Sequence, residues 1–344
     1  MHAVTRPRLT ALIAAGIGAA VFSWLGVPLP FLLGPMMGCL LVALAGAPME
    51  GMGTLGIVMR TILGVAIGAS LTPDTLAALP GFAPTLLLIP VFIAVIGAIG
   101  YPFFRRVCGF DPATSFYSAM PGGLQDMLIF GEEAGGDVRA MSLIHATRIL
   151  VLVTIAPILI TLAWGVDLTA APGQPASEVG WVQITLMTVS GIAGWKFAER
   201  AGLFGASILG PMILTTILSL SGVIQTRPPA EMIWAAQFFI GLAVGAKYAG
   251  ITAKEIRVDI GAGLAYSVLL AVISILFFLG VAWISPADDL DVLLSFLPGG
   301  QGEMVVIAIV TGADLGFVVT HHLLRIFTVI IAAPIVARRV APKR

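Results

Sequence analysis

Two ten-residue stretches of the chain carry polar groups whose types and spacing could do chemistry, and each contains Pro-Gly-Gly. The first is Ser118-Ala-Met-Pro-Gly-Gly-Leu-Gln-Asp-Met127 and the second is Ser295-Phe-Leu-Pro-Gly-Gly-Gln-Gly-Glu-Met304. Pro and Gly interrupt a helix and free its backbone N–H and C=O groups, which can bind anions and cations respectively. The alternative is a Pro-kinked helix with packing glycines. We predict a substrate or ion site at Pro121, Gly122, Gly123, Gln125, Asp126, Pro298, Gly299, Gly300, Gln301 and Glu303.

A carboxylate follows each proline by five residues, as Asp126 in the first stretch and Glu303 in the second. At membrane depth a carboxylate is costly unless it is paired, protonated or hydrated, which makes each a candidate proton or cation site. The alternative is that each lies solvated at the mouth of its loop. Gln125 and Gln301 are neutral hydrogen-bonding partners in the same two loops.

A His-x-x-Arg pair follows each stretch, as His145 with Arg148 and His322 with Arg325. Spacing of three on a helix puts both side chains on one face. An arginine inside an apolar run should face the protein interior and find an acidic or backbone partner. We predict that the arginines bind an anionic substrate or pair with the two carboxylates during a cycle, whereas a structural ion pair is the alternative. The histidines could relay protons near neutral pH.

Metal and nucleic-acid chemistry have little support in the sequence. The histidines are His2, His145, His321 and His322, and with two cysteines they show no spacing of a dedicated metal site. The basic residues at 338–344 fit a membrane topology better than DNA binding. We therefore predict no catalytic residue, no metal, no cofactor, no nucleic-acid partner and no enzyme.

Composition places these residues in a membrane. Of 344 residues only 10% are charged and 58% are hydrophobic, with a net charge of zero. No soluble domain of this size can cover so much apolar surface with so few charges. Apolar runs long enough to span the bilayer lie near 9–25, 30–47, 55–72, 82–104, 139–164, 179–195, 203–222, 231–249, 259–284 and 316–337.

The second half of the chain repeats the first at an offset of about 177 residues. The offset relates the two Pro-Gly-Gly stretches, the two His-Arg pairs, and Gly64-x-x-x-Gly68 with Gly241-x-x-x-Gly245. Glycines at this spacing let helices approach closely, which we expect inside one protomer, although a homo-oligomer stays open. We predict a first membrane repeat at 1–165, a connecting loop at 166–178 and a second repeat at 179–344.

The distribution of Lys and Arg predicts how the repeats are oriented. If both Pro-Gly-Gly segments turn back without crossing, each repeat has five spans and the two are inverted. With both termini cytoplasmic, thirteen basic residues then lie inside and only Arg227 lies outside. The alternative, in which the broken segments cross, gives two parallel six-span repeats. We predict an all-α, multi-pass protein of the bacterial inner membrane with inverted five-helix repeats, each holding a re-entrant or broken helix.

These motifs, with Leu33-Gly-Pro-Met36, resemble the bacterial AbrB-duplication membrane family. The resemblance covers both repeats and nearly the whole chain. Members carry the labels "AbrB family transcriptional regulator" and "ammonia monooxygenase". The resemblance therefore implies a polytopic membrane protein linked to the regulation of gene expression.

Three functions stay open on the sequence. The leading hypothesis is an ion-coupled secondary transporter of a small solute, with an anion favoured by the paired arginines and the lipid bilayer as its other partner. The second is a membrane-embedded regulator of gene expression. The third and most remote is an enzyme like an ammonia monooxygenase, which predicts bound metal.

Overall fold

The computed structural model describes residues 5–203 and 205–340, and these residues form helices and no strand. The predicted termini, including His2, Lys343 and Arg344, lie outside the described residues. The helices are α1 Arg6–Trp24, α2 Pro30–Leu44, α3 Thr54–Gly68, α4 Pro73–Ala78, α5 Ala83–Leu86, α6 Leu88–Pro102, α7 Pro112–Ala119, α8 Leu124–Glu133, α9 Val138–Trp164, α10 Trp181–Arg200, α11 Ala206–Leu220, α12 Ala230–Gly245, α13 Ala253–Glu255, α14 Gly261–Ala282, α15 Asp289–Phe296, α16 Gln301–Thr311 and α17 Leu315–Val340. Short 3-10 or π-helical segments extend four of them at Leu79–Phe82, Phe103–Val107, Ala246–Tyr248 and Ile256–Ile260.

Each predicted span coincides with a helix or a run of helices. Five of these are long and apolar enough to cross a membrane, at Arg6–Trp24, Leu79–Val107, Val138–Trp164, Ala253–Ala282 and Leu315–Val340. Helices α2, α3, α11 and α16 are apolar but shorter. The structure therefore supports a helical membrane protein, whereas the full count of ten spans and their orientation remain predictions.

The described residues form two compact units, and both units draw on both halves of the sequence. The first unit comprises the described parts of Met1–Pro80, Pro157–Gly250 and Gly302–Gly316. The second comprises those of Gly81–Ala156, Ile251–Gln301 and Phe317–Arg344. The units thus divide the chain differently from the predicted repeats.

Close packing at glycine holds the first unit together. A Cβ added at Gly64 or Gly68 of α3 would collide with the carbonyl oxygens of Ile208 or Met212 in α11. Gly241 and Gly245 of α12 face the carbonyls of Leu32 and Met36 in α2 in the same way. The predicted role of these glycines in packing within one protomer is confirmed. The third helix of each repeat packs against the second helix of the other.

Aromatic side chains fill the core of the second unit. Phe92 of α6 meets Phe277 of α14 edge to face at a centroid distance of 4.9 Å, and Phe296 of α15 at 5.4 Å. Tyr266 of α14 is fully buried against Phe104, at 4.6 Å. Such pairs contribute roughly 0.5–1.5 kcal/mol each beyond the area they bury. The two helices that end at the Pro-Gly-Gly stretches contribute to this core through Phe116 of α7 and Phe296 of α15.

Candidate functional site

Both Pro-Gly-Gly stretches interrupt a helix, and the local sequence explains where each interruption falls. Asp111 precedes helix α7 and accepts the N–H of Thr114 in its carboxylate at 3.0 Å, and Met120 follows the last helical residue. Met120 is extended, with φ −70° and ψ 131°, because the following Pro121 disfavours a helical conformation before it. Leu297 before Pro298 is extended for the same reason, with φ −85° and ψ 115°. We refer to Met120–Gly123 and Leu297–Gly300 as the first and second breaks.

An arginine binds the freed carbonyls of each break. Arg148 of α9 donates from Nη1 to the carbonyl of Met120 at 3.1 Å and from Nη2 to that of Gly122 at 3.4 Å. Arg325 of α17 is placed in the same way, since it donates to the carbonyl of Leu297 at 3.2 Å and to that of Gly299 at 3.3 Å. The expectation of an acidic or backbone partner is thus met by backbone at both sites. Each guanidinium group caps the end of a broken helix.

The two histidines extend the same pattern one turn earlier. His145 Nε2 donates to the carbonyl of Tyr117 at 3.1 Å, and His322 Nε2 donates to that of Leu294 at 2.9 Å. The carbonyl can only accept, so Nε2 carries the hydrogen and Nδ1 presents a lone pair when the ring is neutral. All these contacts recur at the repeat offset. The duplicated sequence therefore forms a duplicated constellation of His, Arg and broken helix within the second unit.

Several buried polar atoms around the breaks have no hydrogen-bond partner within the protein. They are the hydroxyls of Ser118 and Ser295, the Nδ1 atoms of His145 and His322, and Nε of Arg325. A buried polar atom without a partner costs about 1–3 kcal/mol. Matching unpartnered atoms in both repeats are consistent with a site that receives a polar ligand or water.

Arg148 and Arg325 both lie in the second unit. Both are 2% exposed. Two buried like charges repel strongly where water cannot screen them. A bound anion would offset that repulsion, so this part of the second unit prefers negatively charged ligands to neutral or positively charged ones.

The predicted carboxylates and amides are distributed less symmetrically. Asp126 is half-buried in the first turn of α8, and Gln125 beside it is exposed. Glu303 is 7% exposed in the first turn of α16, where the helix dipole favours a negative charge. Gln301 is half-buried, and its Nε2 has no partner. Glu303 belongs to the first unit, whereas the other thirteen predicted site residues belong to the second.

Comparison with known proteins matches the sequence of this chain to one family. Residues 31–341 match the family model described as "AbrB: Transition state regulatory protein AbrB". The chain belongs to the AbrB family. It is also 26% identical over 332 residues to the protein of Escherichia coli (strain K12) named "Putative regulator AbrB", which covers 92% of each chain. The resemblance inferred from the sequence motifs is therefore confirmed.

One residue of this AbrB-family site was missed from the sequence. The hydroxyl of Tyr266 in α14 donates to the carbonyl of Ala119 at 2.6 Å, at the end of α7. The repeat offset places Ile89 at the matching position, so this contact exists for the first break alone. The sequence does contain a signal for Tyr266, because this polar residue stands in an apolar run and its counterpart in the other repeat is apolar.

Within residues 5–203 and 205–340, no group of three or more His, Cys, Asp or Glu is placed to hold a metal ion. The second unit contains an ion pair, in which Arg139 Nε donates to Glu255 Oε1 at 2.8 Å.

Proposed function

We propose that this AbrB-family protein is an ion-coupled secondary transporter of a small anionic solute in the bacterial inner membrane. In this proposal ten spans form two inverted repeats, and the two Pro-Gly-Gly segments turn back at membrane depth without crossing. Solute binds at the two breaks, between Arg148 and Arg325. The protein carries no enzymatic activity and needs no metal or cofactor.

The matching placement of two buried arginines, each on the freed carbonyls of one break, is the observation that carries this proposal. Ionised residues inside a membrane are costly and mostly mark substrate or ion pathways. Helix breaks at matching places in two repeats are the typical position of a transporter's binding site. A purely structural role would explain why each arginine caps a helix end, but not why two cations are buried in one apolar unit.

Uptake into vesicles reconstituted with the purified protein tests the proposal. The solutes are a panel of small mono- and dicarboxylic acids, phosphate, sulfate and ammonium, with and without a proton or sodium gradient. Arg148→Lys and Arg325→Lys keep the charge and should retain more flux than Arg148→Gln and Arg325→Gln. Glu303→Gln tests the separate role of that carboxylate. Lys196→Gln is the matched control, since its ammonium lies exposed beside Glu199 at 2.9 Å.

A defined set of results would reject this site. Size-exclusion profiles and thermal melts identify variants that fail to fold, and those are set aside. Absence of gradient-dependent flux for every solute, or normal flux in both folded glutamine variants, would exclude transport through the arginines.

Regulation of gene expression is the second candidate, and the family description and the name of the Escherichia coli relative favour it. The two candidates separate in cells that carry a chromosomal deletion. A folded Arg325→Gln protein that restores normal transcript levels while moving no solute would indicate a regulator. Loss of both properties together would indicate that any change in expression follows from the transported solute.

A further inference from the structure

His321 lies beside the constellation described above, but its own contacts differ from it. This side chain of α17 is fully buried in the second unit. Its Nδ1 lies 2.8 Å from the carbonyl of Phe317, and its Nε2 lies 2.8 Å from the hydroxyl oxygen of Thr85 in α5. The Thr85 hydroxyl in turn lies 2.9 Å from the carbonyl of Phe82. The four groups form one chain of three short polar contacts.

The three contacts require three hydrogens, because both carbonyls can only accept. A neutral imidazole supplies one N–H and the Thr85 hydroxyl supplies one O–H. Every neutral arrangement therefore leaves one pair of acceptor atoms facing each other without a hydrogen. The imidazolium ion supplies two N–H groups, and then all three contacts become hydrogen bonds. Counting hydrogens thus favours a proton on His321.

The surroundings of His321 include further support for a cation and some opposition to it. The ring of Phe317 lies 4.1 Å from the imidazole, centroid to centroid, and that of Phe296 lies at 6.0 Å. Aromatic rings at such distances attract a cation. Burial opposes the charge, and the next residue of α17, His322, is itself titratable. His322 itself donates away from His321, to Leu294.

The first repeat shows that packing does not require these polar groups. At the repeat offset, Ile144 matches His321 and Ala262 matches Thr85. Both are buried apolar residues, and the backbone of Ile144 lies against Gly263, the neighbour of Ala262. The same helix contact is therefore made once with apolar side chains and once with a His–Thr pair. A buried polar pair that the fold can do without points to a separate use.

We infer that His321 and Thr85 form a proton-binding site, in which the Thr85 hydroxyl changes its acceptor as the proton arrives. In the neutral state Thr85 donates to Nε2 of His321. In the protonated state Nε2 donates to Thr85, and Thr85 donates to Phe82. The proton is the ligand, and no other co-reactant is needed. The inference goes beyond the proposed function, since a proton site is measurable in a protein that moves no solute.

The test is a pH titration of the full chain, labelled with ¹⁵N-histidine, in lipid nanodiscs. The chain has four histidines, and His321→Gln assigns the signal of His321. The nitrogen shifts distinguish a ring with two N–H groups from a ring with one. We expect His321 to gain its second N–H at mildly acidic pH while the protein stays folded. The result that overturns the inference is a His321 ring that keeps one bare nitrogen at every pH at which the protein is folded.

Substitutions at Thr85 test the coupling between the two side chains. Thr85→Val keeps the shape but removes the hydroxyl, and we expect it to lower the proton affinity of His321 about tenfold, the scale of one hydrogen bond to a charged group. Thr85→Ser keeps the hydroxyl and should titrate like the wild type. Ser274→Ala is the control, because Ser274 of α14 is buried and its hydroxyl has no partner. An unchanged midpoint in folded Thr85→Val would also refute the proposed site.

Discussion

Repulsion between Arg148 and Arg325 should be measurable as a failure of additivity. The perturbation is Arg→Met at each position, singly and together, since Met fills a similar volume without charge or donors. Each substitution removes two hydrogen bonds from a charged donor to break carbonyls. At about 1.5–3 kcal/mol per bond, the loss is roughly 3–6 kcal/mol.

Relief of repulsion offsets part of that loss. If the two charges are taken to be about 10 Å apart in an effective dielectric of about 20, they repel by roughly 1.7 kcal/mol. Each single variant gains this relief, so its net cost falls to roughly 1–4 kcal/mol. The double variant loses all four bonds but gains the relief only once. It should therefore be less stable than the sum of the singles predicts, by about 1.7 kcal/mol.

Equilibrium unfolding in mixed micelles of mild detergent and SDS measures these free energies. Lys196→Met serves as the control for loss of an exposed positive charge and should cost less than about 0.5 kcal/mol. Additive single and double costs would show that the two charges do not interact and would refute the electrostatic reasoning. A bound anion provides a second readout, since at a hundred times its Kd it should stabilise the wild type by about 2.7 kcal/mol and leave the double variant unchanged.

Three further predictions concern topology, helix packing and the first break. In a chain with Cys39 and Cys108 replaced by Ala, maleimide reagents that do not cross membranes should label Ala134→Cys and Ala287→Cys from opposite sides of the membrane. Labelling of both from one side would exclude inverted repeats. Because burial raises the pKa of the Cys108 thiol, background labelling is slow even before that residue is replaced. Gly241→Ala should cost at least about 2 kcal/mol of unfolding free energy, because the added Cβ meets the Leu32 carbonyl. Gly56→Ala, which has open space around it, should be neutral or stabilising. Equal melting temperatures for the two variants would contradict this packing. Tyr266→Phe should cost about 1–2 kcal/mol through the unpaired Ala119 carbonyl, and a cost no larger than that of Phe278→Leu on the same helix would argue against the hydrogen bond.

Much of the fold follows from sequence because its signals are local. Apolar runs place the helices, and the prolines at 121 and 298 fix the helix ends through the residues that precede them. The interior position of Arg148 and Arg325 follows from the cost of charge in an apolar run. Repetition of the motif supplied the strongest evidence, since it marked these rare polar residues twice.

The remaining features depend on contacts between segments far apart in the chain. Tyr266 and Ala119 are 147 residues apart, and His321 and Thr85 are 236 apart. Helical periodicity shows which face of a helix is buried but not which partner it meets. For the same reason the sequence could not separate Glu303 from Arg325, which the structure assigns to different units. For His321 the available signal was an asymmetry between the repeats, since the matching residue of the first repeat is Ile144.

The exchange of glycine contacts between the repeats bears on how the protein is made. Helix α3 has its partner in α11, and α2 has its partner in α12, so neither contact can form while only the first repeat has been synthesised. The nascent first repeat must wait with the glycine face of α3 and the α2 surface that receives Gly241 and Gly245 both uncovered until α11 and α12 have been synthesised.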